Sequence, residues 1–148
     1  MPAAHSQSVV ILGGTSGIGL AAAKALNAAG YRVIVCGRDT ARADRARKEN
    51  PAIEVKLADA ASERELRRLY SGFEQFDHLV LCVSDAKGAG PFSSLSLDEL
   101  RAGFEAKFFP QFLAAKLALP HLSQTGSITL SLPFLPAPRT QEQADSRP

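Results

Sequence analysis

The 148-residue chain has no tryptophan, one methionine, two cysteines and two tyrosines. With so little cysteine a disulfide scaffold is excluded: Cys36 and Cys82 stand alone, without a Cys-x-x-Cys pair and without a histidine at metal-ligand spacing. Both are expected to be reduced, buried, structural thiols. His5, His78 and His121 are scattered, so no metal site is expected. Neither sign of charge dominates, since 17 basic against 15 acidic residues leave a net charge of +2. That bias is too small to argue for nucleic acid or an anionic membrane. No apolar run approaches the roughly 20 residues that a membrane helix needs. The opening MPAAHSQ lacks the basic, apolar and small-residue succession of a secretory leader, and a cytoplasmic location is expected.

What is present reads as alternating strands and helices. A hydrophobic content of 45% suits one soluble domain with a real core. SVVILGG and FDHLVLCVS are nearly continuous apolar runs, as parallel strands covered on both faces require. AIEVKLAD alternates instead, with Ile53, Val55 and Leu57 on one side and Glu54 and Lys56 on the other, so it belongs at a sheet edge. YRVIVCG and GSITLS supply two further strands. Ile18, Ala22, Ala25, Leu26 and Ala29 recur at helical spacing before Gly30, a natural C-terminal stop. The helix around TARADRARKEN is short, charged and ended by Asn50-Pro51. Ser62 with Glu65 and Ser96 with Glu99 form two capping boxes. The first opens a helix with Leu66, Leu69, Tyr70 and Phe73 on one face; the second opens the longest helical stretch, striped by Leu100, Phe104, Phe108, Phe112, Leu113 and Leu117. Pro110 interrupts that stretch, and a kink or a break into two helices is expected there. Short connections and right-handed crossovers make this succession a doubly wound, Rossmann-type α/β domain over residues 1–131. Its five parallel strands take the order 3-2-1-4-5, which puts the alternating third strand at the edge.

GGTSGIG follows the first strand immediately and opens the first helix. Gly13, Gly17 and Gly19 give a Gly-x-x-x-Gly-x-Gly spacing in which missing side chains let backbone amides and the helix N-terminus approach a pyrophosphate. Strand before and amphipathic helix after supply the context that such a motif needs. A dinucleotide site also needs a residue beyond the second strand to read the ribose. A carboxylate there favours NAD, and an arginine pairs with the 2′-phosphate of NADP. The stretch is VIVCGRD: Gly37 stands where the carboxylate is expected, Arg38 follows, and Arg42 lies one helical turn on. NADP is the favoured cofactor. Asp39 keeps NAD open as the alternative, as does a purely surface role for Arg38.

From Val9 to about Ser131 the chain resembles the short-chain dehydrogenase/reductase family, of which it matches the N-terminal, cofactor-binding half. GGTSGIG is similar to that family's glycine motif in spacing and residues, Ile18 included. The resemblance implies that Thr15, Ser16 and Ile18 line the phosphates and that Asp59 and the Ala60 backbone meet the adenine. Where members usually carry Asn-Asn-Ala-Gly after the fourth strand, this chain reads Leu81, Cys82, Val83 and Ser84, with Ser84 small enough to permit close approach of the cofactor. Lys107 falls at the position of the family's catalytic-site asparagine, and either a proton relay or a solvated helix-face lysine fits it.

Family chemistry moves a hydride between nicotinamide and a carbonyl or alcohol carbon, with a serine, a tyrosine and a lysine four residues after the tyrosine handling the oxygen and its proton. Alignment of GSITLS with the fifth strand puts Leu132 at the serine and Ser131 one place early. Tyr31 and Tyr70 both lie in the first half, and no lysine follows Lys116. No catalytic residue is therefore assigned. Leu132–Pro148, with Pro133, Pro136 and Pro138, cannot form a sheet interior and is expected as an irregular tail. The chain reads as cut short or replaced after its fifth strand. The expected function is an NADP(H)-binding domain, oxidoreductase by resemblance, with little or no turnover in this form. A non-enzymatic nucleotide-sensing or protein-interaction module, or a fragment without function, is the alternative. Self-association through the long helix or an exposed fifth strand is the expected partnership, and the phenylalanine stripe fits either a dimer contact or the core.

Overall fold

The computed structural model describes residues 6–83, 87–88 and 90–131, so Ser84 and the tail from 132 to 148 lie outside the described residues. Five strands alternate with helices: β1 (Ser8–Leu12), α1 (Gly17–Ala28), β2 (Arg32–Gly37), α2 (Thr40–Glu49), β3 (Glu54–Leu57), α3 (Glu63–Ser71), β4 (Phe76–Leu81), α4 (Leu97–Gly103), α5 (Phe109–Ala118) and β5 (Leu122–Leu130). The sheet order is β3-β2-β1-β4-β5, and every pairing is parallel. Val10 lies level with Ile34 on one side and Leu79 on the other, so the most apolar strands occupy the centre.

Alternate residues of each central strand feed two cores. Val10, Leu12, Ile34, Leu79 and Leu81 pack with Leu66 and Tyr70 of α3 and with Ala114 and Ala118 of α5. Val9, Ile11, Val33 and Val35 pack with Ala23 of α1 on the opposite face. The face that α1 buries differs from the one expected: Gly19 and Ala23 turn inward, while Ile18 is 75% exposed. Only small residues let the helix axis come so close to β1, and that requirement outranks side-chain hydrophobicity.

The first capping box is half formed. Ser62 caps α3 by accepting from the Glu65 amide, but the Glu65 carboxylate accepts instead from the Asp59 amide at 2.8 Å. The second, Ser96 with Glu99, is complete. Pro110 does not break the long helix. A π-helical segment (Phe104–Phe108) joins α4 to α5, closed by the Phe109 amide donating to the Phe104 carbonyl. A wider turn just ahead of the proline absorbs the missing donor, which a kink otherwise accommodates.

The stripe that points to the core is not the phenylalanine one. Pro110, Gln111, Ala114 and Ala118 are buried, whereas Phe104, Phe108 and Phe112 are 48%, 52% and 56% exposed, so the core reading of that stripe is corrected. β3 is an edge as expected, but its Leu57 is exposed and only Ile53 at its head is buried. β5 starts four residues before GSITLS, at Leu122, with an irregularity opposite Phe76–His78 where Gly126 lies against the Asp77 carbonyl. No helix among the described residues is long and apolar enough to cross a membrane.

Candidate functional site

The C-terminal ends of β1, β2 and β4 open on a cleft of about 1090 Å³. It lies where the connections from β1 and β4 leave the sheet in opposite directions, the usual crevice of doubly wound folds. After β1 the Gly13 and Gly14 amides both donate to the Cys36 carbonyl, at 2.9 and 3.1 Å, which fixes the turn against β2. Ser16, extended at the cap of α1, makes no side-chain hydrogen bond to the first helical turn. The amides at the positive end of that 12-residue helix are thus without a side-chain cap, a setting that favours an anion. Gly17 has φ +55° with open space where a side chain would project, and a Cβ on Gly19 would collide with the Gly13 carbonyl.

At the end of β2, a Cβ on Gly37 would run into the hydroxyl of buried Thr15. A side chain at that position would require Thr15 to shift. Arg38 is the next side chain to reach the cleft, and Arg42 joins it from α2. The Asp39 carboxylate accepts from the Arg42 amide at 2.8 Å and serves as the cap of α2. The opposing wall is Ala58, Asp59 and Ala60. Asp59 is held from both directions, its amide on Glu65 and its carboxylate accepting from the Ala61 amide at 2.9 Å.

At the other end of the cleft the Cys82 amide donates to the Leu12 carbonyl at 2.8 Å, and the lining continues through Val83, Lys87, Ala102, Lys107 and Ser131. Buried Gln111 donates from Nε2 to the Val83 carbonyl at 3.0 Å and holds the chain beyond β4 in place. Sequence reasoning missed Gln111. Its signal was an uncharged polar residue four after Lys107 and three before Ala114, on the face that proves buried.

Of the expected site residues, Gly13, Thr15, Ser16, Gly17, Ile18, Gly19, Arg38, Asp59 and Ala60 all line this one cleft. Ser84 lies outside the described residues. One expectation is corrected. Cys82 is not buried but half-exposed on the cleft, its thiol raised by partial burial and relieved by Ser131 and Lys107. Lys107, left open between a proton relay and a solvated helix-face lysine, is half-buried and lines the cleft. Cys36 is buried, and desolvation pushes its thiol up to about 12. Neither tyrosine lines the cleft: Tyr70 is buried and donates to the Ala114 carbonyl at 3.0 Å, and Tyr31 packs edge-on against His78. Among the described residues no three His, Cys, Asp or Glu side chains gather as metal ligands. The arrangement can bind an elongated polyphosphate ligand; the described residues supply no tyrosine-lysine pair for acid-base chemistry on it.

The family model for short chain dehydrogenase matches residues 7–130. An uncharacterized oxidoreductase, DltE, of Bacillus subtilis strain 168 is 34% identical over 127 residues, covering 79% of this chain and 48% of that protein. L-fucose dehydrogenase of Mus musculus is 30% identical over 141 residues, covering 92% and 51%. Among solved structures, a short-chain type dehydrogenase/reductase from Mycobacterium ulcerans superposes with a TM-score of 0.73 at 23% identity, over 84% of this chain and 50% of that one. The F189W actinorhodin polyketide ketoreductase with NADPH gives 0.70 at 25% identity, over 84% and 52%. The chain thus spans about half the length of these relatives. With the glycine turn, the strand order and the family match in agreement, the chain belongs to the short chain dehydrogenase family.

Proposed function

We propose that this chain is an NADP(H)-binding domain of a family whose members are oxidoreductases, formed by residues 1–131 with 132–148 outside it, and that these 148 residues alone turn over little or no substrate. The bound dinucleotide supplies hydride transfer; this chain's own residues bind and orient it. The amides at the head of α1 would hold the pyrophosphate, with Thr15, Ser16 and Ile18 lining it, and Asp59 with the Ala60 backbone would meet the adenine. One observation carries the cofactor choice. Thr15 crowds the space beside Gly37, one carboxylate oxygen of Asp39 caps α2, and Arg38 and Arg42 line the ribose end with two positive charges against the single negative charge of Asp39. The ketoreductase solved with NADPH agrees with that choice. Arg38→Asp is expected to lower NADPH affinity by about tenfold or more while NADH affinity holds or rises, read as paired dissociation constants. Indifference to the substitution would assign Arg38 to the surface.

The low turnover rests on the tyrosines, since the hydroxyl of Tyr70 is spent on the Ala114 carbonyl and Tyr31 is remote from the cleft. A second reading, an interaction module, is favoured by the exposed stripe of Phe104, Phe108 and Phe112, linked ring to ring at 5.8 and 6.3 Å. Two copies meeting through this helix would cover it, and self-association is part of the proposal. The two free thiols suit a reducing, cytoplasmic setting.

A further inference from the structure

We propose that Lys107 makes the cleft discriminate between the two oxidation states of the nicotinamide, holding the reduced, uncharged ring more tightly than the oxidised, cationic one. The inference rests on the dinucleotide reading above. If the pyrophosphate sits at the head of α1 and the adenosine ribose beside Arg38, the nicotinamide falls at the remaining end of the cleft, between Cys82, Val83 and Ser131.

That end is cationic for structural reasons. Lys107 lies in the π-helical segment, four residues before buried Gln111, so it continues the inward face of the long helix up to the cleft mouth. Its stem is half-buried there, and among the described residues its ammonium makes no ion pair. It is near enough to Cys82 to favour that thiol's ionised form against the desolvation that opposes it. Among the described residues the other charges lining this end are exposed Lys87 and exposed Glu105, which offset one another in the more strongly screened solvent. Among the described residues, the balance left at this end is the half-buried positive charge of Lys107. A pyridinium ring in its field is repelled, while the uncharged dihydropyridine is not.

The test is a titration of the purified chain with NADPH and with NADP+, repeated for Lys107→Gln and Lys107→Arg. The unsubstituted chain should bind NADPH about tenfold more tightly than NADP+. Lys107→Gln should shrink that ratio several-fold, mainly by strengthening NADP+, and Lys107→Arg should keep it. Because the ratio is taken within one protein sample, a general loss of folding lowers both affinities and leaves the comparison valid. Arg38→Asp should alter the choice between NADPH and NADH without touching the oxidised-to-reduced ratio, which separates the two ends of the cleft. Equal affinities in the unsubstituted chain, or a ratio unmoved by Lys107→Gln, would overturn the inference while leaving the dinucleotide reading intact. Failure to bind either form would overturn both.

Discussion

A single missing side chain decides more at this cleft than any present one. Gly17 sits at φ +55° with open space ahead of it, so Gly17→Val both strains the backbone and fills the volume in front of the α1 amides. Dinucleotide affinity should fall at least about tenfold, with thermal stability reduced by much less because the side chain points away from the core. Unchanged affinity would remove the phosphates from this turn. At this scale the sequence was legible where a motif is local. The glycine turn and Arg38 lie within consecutive residues and could be placed without coordinates. Gln111 and the role of Glu65 could not, because what each does depends on a partner brought in by the fold. Gln111 meets a carbonyl 28 positions away, and Glu65 abandons its own cap for the Asp59 amide.

Among the elements, strand identity and order followed from hydrophobic pattern, while helix faces did not. In α1 the face from Ile18 to Ala29 was expected inward, and along the long helix the pattern left the inward face open; Gly19, Ala23, Ala114 and Ala118 are the ones buried. Close approach of a helix to a sheet selects small residues, and periodicity alone does not tell a small inward face from a large outward one. The opposite end of the sheet from the cleft has its own clasp. Asp77 at the start of β4 accepts from the Ser8 amide at 2.8 Å and from the Ser8 hydroxyl at 3.1 Å, joining β4 to the start of β1. Those bonds, the Ser8 amide foremost, hold the Asp77 carboxyl below its ordinary 3.8. A carboxyl lowered in the folded state stabilises above its unfolded value, and the contribution is lost as pH falls through the lowered one. Asp77→Ala should therefore cost about 1 kcal/mol at neutral pH, with the gap to the parent protein closing in strong acid. Urea melts at several pH values read this directly; a gap independent of pH would make the clasp a matter of packing.

For the molecule as a whole, family and architecture were legible because the glycine motif and the strand sequence repeat a common plan. The exposed aromatic stripe was left ambiguous by sequence, and its exposure now makes it a surface in need of cover. Replacing Phe108, which touches the rings of Phe104, Phe109 and Phe112, by lysine should lower the sedimentation mass toward that of one chain while leaving the circular dichroism spectrum in place. A parent protein that already sediments as a single chain would refute association through this helix. Whether the cleft is a working NADP(H) site is decided by calorimetric titration of the intact chain with NADPH and NADH. Saturable one-to-one binding that favours NADPH is the result this account predicts. Folded protein that takes up neither dinucleotide, or that prefers NADH, would contradict it.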